Sequence, residues 1–407
     1  MHLLQKFPEL LLQLPNLNGI TIVAPTNEAF ERIPLTSLNA IWKADDASVA
    51  VPILQYHIVM GQFPADAMTP GAPVFAPTLL TDPRWTNLSA GGQLVRADKQ
   101  PDGFVALTSG SGSRSSLVPF SKDGRRDLRF AGGIVQAVDN LLVPPTALNE
   151  TLTAYSDLSF LGALYAAGLY DEFATCGASG NCTIFAPSVR AFRAVNSTLA
   201  SLSRDDLIKV LRYHMVPGQV LTSNLLSNGT TLPSALASGS AQKQLQVRRA
   251  GNYLYLNSAH VVQQDLLFAN GVVHLLDNVL NPFLPDPAGD APQPTPNPEL
   301  GTQVPVFSTG SAEAALATVT DADAMNSLPL PFTTALPCTV SCPEPTVTDP
   351  AAAAGSGRGT SSTHSARATS SSKGLAAAAR CTGFAQPGSA AVAAALAWGV
   401  GGYWAGV

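Results

Sequence analysis

Short apolar runs alternate with polar stretches punctuated by Gly and Pro over the first 284 residues, and the whole pattern occurs twice. Ile20 to Ala24 and Thr183 to Ala186 are β-branched or apolar runs, each closed by a proline, Pro25 or Pro187, and they predict short buried strands. Thr26 or Asn27 in one copy, and Ser188 in the other, can cap the helix that follows and carries Phe30 or Phe192. Ala50, Ile53, Leu54 and His57 are spaced i, i+3, i+4, i+7, and so are Leu207, Val210, Leu211 and His214. That spacing puts each histidine on the apolar face of a helix. The second of these helices opens on Ser203-x-x-Asp206, a capping box with Asp in place of the usual Glu or Gln. Strand–turn–strand patterns surround Pro101-Asp102-Gly103 and Gly251-Asn252. Ile134 to Val138 and Val272 to Leu276 read as fully buried strands, each followed by an Asp-Asn turn.

The repetition is literal at four landmarks in the same order. Thr21-Ile-Val-Ala-Pro-Thr-Asn-Glu-Ala-Phe30 recurs as Thr183-Ile-Phe-Ala-Pro-Ser-Val-Arg-Ala-Phe192, and Leu54-Gln-Tyr-His-Ile-Val59 as Leu211-Arg-Tyr-His-Met-Val216. The two turns recur, and Gly133-Ile-Val-Gln-Ala-Val-Asp-Asn140 returns as Gly271-Val-Val-His-Leu-Leu-Asp-Asn278. The offsets fall from 162 through 157 and 148 to 138, so the first copy is longer by loop insertions, among them the polar stretch Ser109 to Asp127. Two domains are expected, 1–146 and 150–284, with a connector near Pro144 to Thr153. Strands and helices mixed irregularly predict an α+β class, not a regular βαβ repeat.

The Ala-Pro segments, the Tyr-His pairs and the Gly-Val-Val-His-Leu-Leu-Asp block together resemble the signature regions of fasciclin-type (FAS1) domains, over roughly residues 1–284. Val261 to Pro282 is especially similar to fungal members. The resemblance implies two tandem FAS1 domains, each a β-sandwich-like wedge packed with helices, of the kind found in secreted and membrane-anchored adhesion or matrix proteins. Gln136 departs from the pattern where the second copy has His274. The start of the first copy is also short by about ten residues relative to the second, which reads as a truncated N-terminus. Leu3, Leu4, Phe7, Leu10, Leu11 and Leu14 of what remains predict one amphipathic helix.

Beyond Pro282 the character of the chain changes. Seven prolines fall between Pro282 and Pro298, and residues 285–388 read as a disordered Pro/Ser/Thr-rich stalk that cannot bury a core. The last residues, 389–407, form an apolar tail, and the final 27 residues contain no Asp, Glu, Lys or Arg. Small residues, a spacer and an apolar end resemble a GPI-attachment signal, with Ser370, Ser371, Ser372 and Gly374 as candidate attachment residues. A single-pass transmembrane helix is the alternative, weakened by the Ala/Gly composition and by the absence of a following basic anchor. No secretory leader is visible, since Lys6, Pro8 and Glu9 interrupt the apolar residues near Met1. The tail nonetheless points to the secretory route, hence to the outer face of the plasma membrane or the cell wall.

Charge and candidate chemistry narrow the function. A net charge of −5 with no basic patch argues against nucleic acid. Cys176 and Cys182 flank a short polar loop and predict a local disulfide, with two free thiols as the alternative. Asn87, Asn149, Asn181, Asn196 and Asn228 stand in glycosylation sequons, of which Asn196 and Asn228 lie in the most suitable polar loops. There is no G-x-S-x-G elbow, H-E-x-x-H, C-x-x-C or phosphate-binding glycine loop, so no catalytic residue, cofactor or metal is expected. Tyr56-His57 and Tyr213-His214 are either a binding epitope, as in some animal FAS1 proteins, or buried residues holding backbone groups in place. Asp139 and Asp277 read as turn-forming or hydrogen-bonding residues rather than as catalytic acids. The expected function is non-enzymatic adhesion or matrix contact, with extracellular proteins, glycans or other FAS1 domains as partners. A structural wall glycoprotein without a specific receptor is the alternative.

Overall fold

The computed structural model describes residues 5–88, 91–238, 241–284 and 332–337. Each half of the repeat builds one mainly antiparallel sheet and packs helices against it. The first sheet contains β1 (Ile20–Pro25), β2 (Ile58–Met60), β3 (Val74–Pro77), β4 (Leu94–Lys99), β5 (Val105–Thr108), β6 (Arg114–Val118), β7 (Asp127–Phe130) and β8 (Gly133–Val138). Their order is β2-β1-β8-β6-β5-β4-β3, with β7 also paired to β8. The second contains β9 (Cys182–Pro187), β10 (Met215–Pro217), β11 (Thr231–Ser238), β12 (Ala241–Ala250), β13 (Tyr253–Leu256), β14 (Ala259–Phe268) and β15 (Gly271–Leu276), in the order β10-β9-β15-β14-β13-β12-β11. The two orders match strand for strand. The expectation of two equivalent tandem α+β domains holds.

At the centre of each sheet lies a parallel pair, β1 with β8 and β9 with β15. Every residue of β9 and β15 is buried. Cys182, Ile184 and Ala186 face one apolar cluster, which includes Phe160, Phe192 and Leu211, while Phe185 faces another with Tyr213 and Leu254. Burial on both faces is why these segments read as unbroken apolar runs rather than alternating ones. The pair closes on a glycine in both copies. A Cβ on Gly133 would lie 1.9 Å from the Ile20 carbonyl oxygen, and one on Gly271 would lie 1.9 Å from that of Cys182.

The helices follow their sequence signals. α1 (Pro8–Gln13) buries Phe7 and Leu10 against β1 residue Ile20. Thr26 caps α2 (Asn27–Glu31) by accepting from the Ala29 amide at 3.2 Å, and Asp46 caps α3 (Ala47–Tyr56) from Ser48 at 3.0 Å. Pro52 inside α3 cannot bond the carbonyl of Ser48, and Arg84 Nη2 donates to that oxygen instead at 2.8 Å. In the second half come α4 (Leu148–Ala154), α5 (Leu158–Ala167), α6 (Tyr170–Ala174), α7 (Val189–Ala194), α8 (Asn196–Ser201) and α9 (Arg204–Arg212). Ser188 caps α7 at 3.3 Å and Ser203 caps α9 at 3.1 Å. Asp206 answers Ser203 through the hydroxyl at 2.8 Å, rather than through the backbone amide that a longer Glu reaches.

Two readings are corrected. The polar stretch Ser109 to Asp127 is not wholly a loop, because it contains β6. Leu117 and Val118 of β6 pair with Val138 and Ala137, and Asp127 to Phe130 of β7 pair with Gln136 to Gly133. In the second sheet the single bulged strand β14 spans the same partners on β15. The true insertion is therefore residues 119–126, which split one strand into two. The other correction concerns the stalk. Most of 285–388 lies outside the described residues, but Phe332 to Leu336 pack against the cluster around Phe160 and Phe192. A local group of apolar residues, Phe332 with Leu336, escapes a reading based on average composition. The tail 389–407 also lies outside the described residues.

Replacing Gly271 with Ala is expected to destabilise the second domain by about 1–3 kcal/mol, because the obstacle is backbone and cannot turn aside. Urea unfolding of the full chain checks this, and an unchanged midpoint would refute the close approach.

Candidate functional site

Both Tyr-His motifs sit where a helix ends and the edge strand β2 or β10 begins, and both do the same thing. His57 Nδ1 donates to the Ile53 carbonyl at 2.7 Å, and its Nε2 accepts from the Leu142 amide at 2.9 Å. His214 Nδ1 donates to the Val210 carbonyl at 2.7 Å, and its Nε2 accepts from the Leu280 amide at 2.9 Å. Each ring therefore ties the last turn of its helix to the segment leaving the central strand, in one neutral tautomer. Burial holds both imidazoles down at about 4, against the pull of the carbonyl that each one faces. The neighbouring tyrosines reach the opposite way. Tyr56 Oη donates to the Leu94 carbonyl at 2.7 Å, and Tyr213 Oη donates to that of Gln244 at 2.9 Å while accepting from Asn257 Nδ2 at 3.0 Å. All four side chains are buried. Together they form an internal clamp between helix, sheet and hairpin.

The departure at Gln136 keeps its geometry. His274 Nε2 donates to the Leu221 carbonyl at 2.8 Å, and its Nδ1 faces the Asp265 amide at 3.3 Å. Asp265 takes both the amide and the hydroxyl of Ser223 at 2.6 Å. In the first domain Gln136 Nε2 donates to the Phe63 carbonyl at 2.9 Å and to Asp127 at 2.7 Å, while Asp127 accepts from the Ala65 amide at 3.0 Å. An amide nitrogen thus replaces an imidazole as the donor to one carbonyl. Asp139 and Asp277 are equivalent too, accepting from Ser116 at 2.6 Å and from His260 at 2.7 Å to pin the next strand.

Asp265 and Asp127 carry no local signal in the sequence, since Asp265 follows Gln263 and Gln264 and Asp127 ends a polar stretch. Asp265 adopts φ of +64° at the bulge of β14 and its carboxylate is fully buried. From the first domain Arg96 Nη1 approaches it to 3.4 Å, held in place by Asp98 at 2.8 Å from Arg96 Nε. Fully buried Gln93 adds bonds from Nε2 to the carbonyls of Phe268 and Ala269, each 3.3 Å. These contacts join the two domains.

The remaining sequence candidates divide by exposure. Cys176 and Cys182 form a disulfide. Asn87, Asn196 and Asn228 are exposed; Asn196 opens α8 rather than standing in a polar loop, and Asn228 Oδ1 accepts from the Arg249 amide at 2.8 Å. Asn87 Nδ2, the atom a glycan would take, donates to Asn270 across the domain contact at 3.0 Å. Asn149 accepts from Tyr170 Oη at 3.0 Å, and Asn181 is buried beside the disulfide. Ser370, Ser371, Ser372 and Gly374 lie outside the described residues. Among the described residues no cluster of His, Cys, Asp and Glu could hold a metal, and no helix is long and apolar enough to cross a membrane.

The model of the Fasciclin domain family matches residues 1–144 and 158–282. A fasciclin-like arabinogalactan protein of Arthroderma benhamiae is 29% identical over 295 residues, 72% of this chain and 65% of that protein. The fasciclin-like arabinogalactan protein elcF of Phaeosphaeria nodorum is 28% identical over 69% of this chain and 83% of its own length. The transforming growth factor-beta-induced protein ig-h3 of Sus scrofa is 28% identical over 64% of this chain, which spans only 33% of it. A solved FAS1 domain pair from the insect cell adhesion molecule fasciclin I aligns with 69% of this chain and 94% of that one, at 16% identity and a TM-score of 0.31.

Two expectations follow from the geometry. A histidine with a folded value near 4 binds its proton more weakly than in the unfolded chain, where it titrates near 6.5. Its stabilisation is therefore complete above pH 6.5 and lost as pH falls toward 4. The loss is about 3 kcal/mol per ring at most. Asp157, pushed up to about 8 by burial, works in the opposite direction over the same range. The histidine contribution is accordingly read as the parent-minus-variant difference, and His57→Gln and His214→Gln should each flatten the urea midpoint between pH 7 and pH 4.5. The Arg96–Asp265 contact should give a coupling of about 1 kcal/mol in an Arg96→Met, Asp265→Asn double-mutant cycle, and zero coupling would remove its role in joining the domains.

Proposed function

The chain belongs to the fasciclin family, and from that premise we propose that it is a non-enzymatic cell-surface or cell-wall protein whose two domains make adhesive or matrix contacts. The observation that carries this reading is the state of the buried histidines. An acid–base catalyst needs a ring nitrogen free to exchange protons with a substrate. His57 and His214 have both nitrogens committed to backbone groups inside the core. Their chemistry is that of a scaffold.

Contact with partners then falls to the surface. An open cleft of about 510 Å³ carries Arg32, Thr36, Ser111, Arg114 and Asn140 from the first domain and Ala154 of α4. Two guanidinium groups among hydroxyl and amide donors suit acidic or hydroxyl-rich chains, whether glycan or protein. The fungal fasciclin-like relatives support an extracellular or wall location. We place glycans on Asn196 and Asn228, exposed sequons that stand clear of the domain contact holding the exposed Asn87, and a GPI attachment at one of Ser370, Ser371, Ser372 and Gly374.

Full-length protein expressed on cells and labelled from outside tests the reading. The expected result is surface signal released by phosphatidylinositol-specific phospholipase C, together with salt-sensitive retention on wall and matrix preparations that Arg114→Glu weakens several-fold. Release by glucanase alone would favour a covalently held wall component. Substrate turnover abolished by His57→Gln with His214→Gln would overturn the non-enzymatic reading.

A further inference from the structure

Residues Phe332 to Leu336 lie 48 or more positions beyond Leu284, the last residue described in the second domain, yet return to its helical side. A 3-10 turn over Thr333–Ala335 closes on itself, with the Ala335 amide donating to the Phe332 carbonyl at 3.0 Å and the Leu336 amide to that of Thr333 at 3.3 Å. The turn aims Phe332 and Leu336 at one surface. Phe332 meets the ring of Phe192 edge-on, with centroids 6.0 Å apart, and Phe192 in turn lies 6.4 Å from Phe160.

The receiving surface is shaped for that visitor. Gly162 sits in the middle of α5, where glycine weakens a helix and alanine would strengthen it. The three atoms nearest to a Cβ at Gly162 all belong to Phe332, and its carbonyl oxygen would lie only 2.3 Å away. The missing side chain is therefore the space that the incoming backbone fills. Phe332 pays a cost as well, adopting φ of +61°, a left-handed conformation unusual for an aromatic residue. Both sides accept an unfavourable local choice that only the contact compensates.

We propose that the groove between α5 and α7 is a peptide-docking site for a Phe-x-x-x-Leu turn, occupied in cis by residues 332–336 as a strap. The ligand class is a short apolar peptide with an aromatic anchor, a leucine four residues on and a backbone able to lie against Gly162. Docking holds residues 332–336 on the second domain, so the reach of the proposed surface protein is counted from Leu336 rather than from Leu284. Undocking would add roughly 50 residues to it, on the order of 150 Å when fully extended.

The test uses the full chain and a labelled peptide of sequence Ser327 to Leu336. The parent, with its groove filled, should bind the peptide at least tenfold more weakly than the Phe332→Ala, Leu336→Ala double variant. Adding Gly162→Ala to that double variant should abolish binding while leaving its Tm unchanged or raised. Thr334→Ala, at an exposed position, should behave as the parent. A second readout needs no groove variant: amides of α5 and α7 should exchange faster in the double variant than in the parent. Equal peptide binding by parent and double variant, binding insensitive to Gly162→Ala, or unchanged amide exchange would each overturn the proposal.

Discussion

Each domain depends on one central parallel strand pair, and in the second domain that pair is buried on both faces. Because β9 and β15 show no face to water, everything else in the domain is arranged to cover them: helices on one side, the antiparallel hairpins on the other. Parallel neighbours cannot be joined by a tight turn, so the chain between them must leave and return. That detour, from β1 to β8 or from β9 to β15, contains the helix with the Tyr-His motif and the whole hairpin system. The motif is the tie that brings the detour back. Its histidine binds the segment after the central strand, and its tyrosine binds the hairpin.

This arrangement explains why polar residues sit at the deepest positions. A buried amide without a partner costs about 1–3 kcal/mol. Leu142 and Leu280 leave the sheet with amides that no strand neighbour satisfies, and the imidazole supplies an acceptor to each. The Asp127 and Asp265 carboxylates do the same for Ala65 and Ser223. Asp265 is the more demanding of the two, because its second oxygen also faces Arg96 from the other domain. One bulge thus serves the fold of its own domain and the contact between domains.

Much of this was legible in the residues. The strand runs, the caps at Thr26, Ser188 and Ser203, and the placement of both histidines on apolar faces follow from local pattern, and local pattern is what a helix or buried strand obeys. The Cys176–Cys182 bond was anticipated, with free thiols left open. What escaped was non-local. Nothing in the sequence near Ser48 announces that its carbonyl, orphaned by Pro52, will meet Arg84. Likewise β6 is hidden in a polar stretch because the strand that it pairs with lies further along the chain. Arg96 reads as an ordinary solvent-facing charge until Asp265 is placed opposite it. Phe332 is hidden for a different reason: one aromatic residue in a Pro-, Ser- and Thr-rich stretch does not shift an average.

Long-range proton–nitrogen NMR of the imidazole rings in the full chain tests the central claim most directly. The account requires His57 and His214 to be neutral, protonated at Nδ1 and unchanged in shift from pH 7.5 to pH 5. His274 should show the opposite tautomer, protonated at Nε2. Rings of His57 and His214 that titrate near the ordinary histidine value, or exchange between tautomers, would contradict an internal clamp and return the motif to the surface.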